Sequence, residues 1–103
     1  QALAYYEQAA LMRDYEASQS LAAAYEDGKI APIDLVKAYG WNLVAAQLAT
    51  KPEDAAKLKT KLATLPARMS PADLMAAQNL ARNYLTRMPT EKEDAERSLL
   101  KAR

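Results

Sequence analysis

Displaced by 36 residues, this chain meets its own small and aromatic positions again. Ala2 lands on Ala38, Tyr5 on Trp41, Ala9 on Ala45 and Ala10 on Ala46, while the residues between them differ. Such an echo keeps what packs and lets what faces water drift, which is how stacked copies of one supersecondary unit read. It constrains the fold more than any single motif does. A repeat unit cannot bury its apolar face alone, so its neighbours in the chain must lie against it.

The unit is helical. Half of the 103 residues are apolar, much of that is Ala, Phe is absent, and there are only two Gly and five Pro. Ala with Leu, Glu, Lys and Gln favours helix, and no alternating β-branched run competes. Apolar spacing predicts six helical segments. The first covers 1–12, with Leu3, Tyr6 and Ala10 inward and Ala2, Tyr5 and Ala9 beside them. The second covers about 14–27, with Ala17, Leu21, Ala24 and Tyr25 on one face and Asp27-Gly28 as its stop. The third covers about 32–49. Pro32 and Asp34 fall in its first turn, and Leu35, Ala38, Trp41, Ala45 and Leu48 line its inner face. A fourth begins after Thr50, which stands at capping-box spacing from Glu53, and ends at Pro66. The fifth starts with Ser70 as cap and Pro71 at the first helical position, and carries Leu74, Ala77, Ala81, Tyr84, Leu85 and Met88. The sixth, about 91–102, has Thr90 and Glu93 at its start and a thin face of Ala95, Leu99, Leu100 and Ala102. Short links between helices of this length set neighbours antiparallel.

From Ala17 the chain reads A-x3-L-x3-Y-x2-G-x5-D-x3-A-x2-W-x3-AA: Ala17, Leu21, Tyr25, Gly28, Asp34, Ala38, Trp41, Ala45 and Ala46. These nine positions in 30 residues resemble the Sel1-like repeat, a relative of the tetratricopeptide repeat. Lys37 before Ala38 also agrees with it. Three places depart from the family pattern: Ala22 stands where Gly usually follows the Leu, Asn42 follows the Trp, and the loop reads KIAP. Residues 1–13 match only the second half of a unit, 14–49 make one full unit, and beyond that the pattern decays, with Lys57 and Lys61 standing 36 residues after Leu21 and Tyr25. The resemblance thus covers residues 1–50. It implies an all-α fold, an α-α superhelix of antiparallel hairpins, with 51–103 as a helical C-terminal capping segment whose outer face is polar. Proteins of this family in bacteria often serve the envelope, signalling or assembly.

Packing logic accounts for the pattern without the family. Ala17, Ala38 and Ala45 let helices approach to the short end of the roughly 8–10 Å packing range. Tyr25 and Trp41 fill the wedges between hairpins, with their polar tips near an edge. Gly28 permits the reversal, and Asp34 receives N–H groups at the start of the next helix.

Little in the sequence carries chemistry. His and Cys are both absent, which removes thiols, disulfides, imidazole bases and nearly all zinc sites. Glu53-Asp54 and Glu93-Asp94 are adjacent carboxylates that point apart on a helix. Ser18, Ser20 and Ser70 have no His to activate them, Asp27-Gly28 lacks the other ligands of a calcium loop, and no phosphate-binding Gly loop is present. No catalytic residue, metal or cofactor is expected. No 18-residue apolar run spans a membrane. The net charge of +1 does not steer toward nucleic acid, although residues 1–50 carry three Lys/Arg against six Asp/Glu and residues 51–103 carry eleven against seven. The opening QALAYYEQAALM lacks an initiator Met and already has helical spacing, so the chain reads as a piece of a longer protein. A periplasmic, envelope or cytoplasmic home fits equally.

The function expected is that of a protein–protein interaction scaffold. Its concave face is lined by the second helix, where Tyr15, Ser18, Gln19, Ala22 and Glu26 lie off the core stripe and face a partner protein or peptide. Tyr39 joins Tyr15 as a surface tyrosine, while Tyr5, Tyr25 and Tyr84 stand at core spacing. The alternative is a structural cap of a longer repeat protein. In that reading a basic patch of Lys57, Lys61, Arg68, Arg82 and Arg87, with Lys51, contacts an acidic partner or polyanion.

Overall fold

A computed structural model describes residues 2–88, together with 96, 99 and 100. The expected sixth helix lies outside the described residues except for those three, which are helical; Leu99 and Leu100 are exposed there. The fold is all-α, with no strand among the described residues. Its elements are α1 (Ala2–Leu11), α2 (Tyr15–Asp27), α3 (Leu35–Leu48), α4 (Pro52–Thr64), a 3₁₀ turn (Leu65–Arg68) and α5 (Pro71–Arg87).

Local chemistry sets the ends of these helices. Asp14 caps α2 by accepting the Ala17 N–H at 3.1 Å, and Gly28 ends it with φ of 74°. The Asp34 N–H then donates to the Tyr25 carbonyl at 2.8 Å, which ties the loop closed. The Asp34 carboxylate accepts the Lys37 N–H at 3.1 Å, so Asp34 is the cap of α3 and the helix begins at Leu35, three residues later than expected. A capping Asp holds an extended backbone (here φ −144°), and that keeps Pro32 and Ile33 out of the helix. The box expected between Thr50 and Glu53 does not form. Pro52 takes the first helical position, which moves the cap to Lys51, a residue with no capping side-chain bond. Ser70 does cap α5, accepting the Asp73 N–H at 3.0 Å. Pro66 lacks the N–H to continue α4, and the chain tightens into the 3₁₀ turn, with Met69 N–H on the Pro66 carbonyl at 3.1 Å.

The helices alternate in direction. Tyr15 shares a cleft with Asp54, and Glu26 pairs with Lys61, so α2 and α4 run parallel. Gly40 lies against Ala77 and Leu80, and Gln47 shares a cleft with Thr86, so α3 and α5 also run parallel. Helix α3 is central, packed against α2, α4 and α5. Its main core joins Ala10 and Leu21 to Ala38, Trp41 and Val44, and these to Ala81 and Met88. A second cluster holds Tyr39, Leu65 and Ala77. Residues before and after position 50 therefore share one interior.

Three tyrosine and tryptophan positions differ from expectation. Tyr5 is 68% exposed, whereas its neighbour Tyr6 packs on the core. Tyr39 is buried rather than on the surface, because the 3₁₀ turn brings Leu65 over it. The Trp41 side chain is fully buried and its Nε1 has no acceptor, instead of reaching an edge. Tyr84 stacks on Trp41 from α5 and so closes the edge the indole was expected to use.

Candidate functional site

Because α2 and α4 run side by side over α3, they leave a groove. One part is a cleft of about 390 Å³ lined by Gln19, Ala23 and Glu26 from α2, Asn42 from α3, and Lys57, Leu58, Thr60 and Lys61 from α4. A second cleft of about 510 Å³ continues toward the N-terminal ends of both helices, where Asp14, Tyr15, Glu16, Gln19 and Ser20 face Thr50, Lys51 and Asp54. Gln19 belongs to both, so the two form one trough.

Of the five residues expected to face a partner, three line this trough: Tyr15, Gln19 and Glu26. Ser18 and Ala22 do not. They are 0% and 2% exposed, and the Ser18 hydroxyl donates to the Asp14 carbonyl at 3.1 Å. The reason is that α2 is packed by both α1 and α3. A helix with two neighbours buries a wider arc than one stripe, and positions 18 and 22 fall inside it. The open arc passes instead through Gln19, Ala23 and Glu26. Ala23 is exposed and was missed, because an exposed Ala looks like a packing Ala in sequence. The nine positions of the A-x3-L-x3-Y pattern fall as follows. Ala17, Leu21, Tyr25, Ala38, Trp41 and Ala45 are buried, Gly28 and Asp34 mark the turn, and Ala46 is half-buried.

The expected basic patch is divided. Lys57 and Lys61 line the trough, and the Lys61 ammonium reaches both Glu26 carboxylate oxygens at 3.0 Å with Arg68 at 4.0 Å. Arg82 instead lines a separate cleft between α3 and α5, beside Leu43 and Gln47. Arg87 sits over the Tyr84 ring, 5.9 Å from its centre. Helix α3 stands between the two groups, so they do not act as one surface.

At the floor of the trough Asn42 is 3% exposed, and its amide donates to the Ala38 carbonyl at 2.9 Å. At the acidic end the Tyr15 hydroxyl is buried without a partner. Burial pushes its phenol up from the ordinary value, and the Asp54 and Glu16 carboxylates add to the shift. Among the described residues no three acidic side chains converge on a point that suits a metal ion, and no helix is long and apolar enough to cross a membrane. Set beside protein families, curated proteins and solved structures, the chain matches none.

Proposed function

We propose that this chain is a non-catalytic protein–protein interaction module, a short α-α superhelix of the Sel1-like kind whose α2–α4 trough holds a peptide segment of a partner. The carrying observation is the parallel placement of α2 and α4 over an antiparallel α3. Helices α2 and α4 thereby lie in the same sense on α3, and each lines one side of the trough. That is the arrangement a helical repeat uses to present an extended surface. The trough supplies polar groups around a small apolar floor, the mix by which peptide sites fix orientation.

The test uses a display library of random twelve-residue peptides panned against the chain. Peptides retained by the wild type and lost on Ala23→Arg, with an unchanged thermal melt, support the trough as the site. A library that yields no binder, or binders indifferent to Ala23→Arg, removes the reading.

A further inference from the structure

The trough is electrically polarised along its length. At one end Asp14, Glu16 and Asp54 stand against a single cation, Lys51. At the other, Lys57, Lys61 and Arg68 stand against a single carboxylate, Glu26. Glu26 is already engaged by Lys61. Asp54 and Lys57 lie one helical turn apart on α4, yet neither is in an ion pair among the described residues. Each is thus open to an outside partner. The uncharged lining beside these groups includes Gln19, Ala23 and Leu58.

We infer that the trough takes a bipolar peptide: an extended segment of another protein with a basic side chain at the Asp54 end and an acidic one at the Lys57 end. This rests on the reading of the trough as a peptide site. The spacing follows from the helices. Asp54 to Lys57 is three residues, about 4.5 Å at the helical rise, and Asp54 to Lys61 is seven, about 10 Å. An extended chain advances about 3.3 Å per residue, so the two ligand charges stand one to three residues apart. Small residues between them fit over Ala23 and Leu58. A uniformly acidic or uniformly basic segment meets repulsion at one end, so the arrangement selects by exclusion as well as by attraction.

The same twelve-residue library decides the matter. Enriched sequences should carry opposite charges one to three residues apart. A synthetic copy of the most enriched peptide should bind Lys57→Glu and Asp54→Lys each about tenfold more weakly, and should weaken as salt is raised. Thermal melts of both variants confirm that they remain folded. Enriched peptides of a single charge sign, or affinities that ignore both substitutions, overturn the bipolar assignment while leaving a peptide site standing. A library without binders overturns the site itself.

Discussion

The Trp41 and Tyr84 rings stack with centroids 4.0 Å apart and planes 19° from parallel. This contact joins α3 to α5. Trp41→Ala should cost about 3–5 kcal/mol, the range for removing a buried aromatic, and Leu21→Ala about 2–5 kcal/mol. Tyr84→Ala should cost less, since Tyr84 is half-buried. In a double-mutant cycle the ring pair should couple by about 0.5–1.5 kcal/mol. Urea titrations give each value. A Trp41→Ala midpoint equal to wild type would remove the ring from the core.

At Gly40 the backbone of α3 comes close to α5. A Cβ there would lie 3.3 Å from the Ala77 carbonyl oxygen and 3.3 Å from Leu80 Cδ2. Mid-helix Gly costs about 1 kcal/mol relative to Ala, a cost that the close approach explains. Gly40→Val should therefore destabilise by about 2–3 kcal/mol through overpacking. A melt at or above the wild-type temperature would show that α5 yields.

Gly28 should be intolerant for two separable reasons. Its φ of 74° is left-handed, and an added Cβ would fall 2.8 Å from Ile33 Cγ1. Gly28→Ala should lose about 1–2 kcal/mol from the backbone alone. Adding Ile33→Ala should relieve the clash and restore only part of the loss. Full restoration would assign the whole cost to the side chain.

Alkaline pH should weaken the fold through its tyrosines. Burial raises the Tyr84 phenol above its ordinary 10.0, the Glu7 and Asp34 carboxylates add to this, and Arg87 opposes it. Tyr25 is raised by burial and by Glu7, whose carboxylate accepts its hydroxyl at 3.5 Å. The folded state keeps a proton that the unfolded chain releases, so this stability is complete below about pH 10 and is lost as pH rises through the raised folded values. Tyr84→Phe should flatten the alkaline limb of a stability–pH curve. An unchanged limb would dismiss Tyr84 as a contributor.

The Glu26–Lys61 pair should matter little to stability. Its side chains are 21% and 50% exposed, and exposed pairs contribute at most about 1 kcal/mol. A cycle of Glu26→Gln and Lys61→Met should give a coupling below that, shrinking at high salt. A larger, salt-insensitive coupling would mark the pair as structural.

Much of this architecture was legible in the chain. The helix stops and starts at Gly28, Asp34, Ser70 and Pro71 are local events, decided by φ, a missing N–H or a nearby carboxylate. The 36-residue echo located the buried Ala10, Ala38, Trp41 and Ala45, but Ala2 and Tyr5, its counterparts to Ala38 and Trp41, are exposed because among the described residues no helix covers that side of α1. Errors arose where a third element intervened. Ser18 and Ala22 looked free because periodicity describes one buried stripe, and α2 has two neighbours. Tyr39 looked free because nothing in the order of residues says that the 3₁₀ turn folds back over it.

By itself, then, the sequence determined the helical class, the turns and the residues able to pack, because each depends on groups a few positions apart. Only the tertiary structure decided which side chains share a trough. Gln19, Ala23, Asp54 and Lys57 come from segments some thirty residues apart in sequence, and they meet because α3 returns the chain so that α4 lies parallel to α2. Burial of α3 by its neighbours sets that placement, and no local rule contains it.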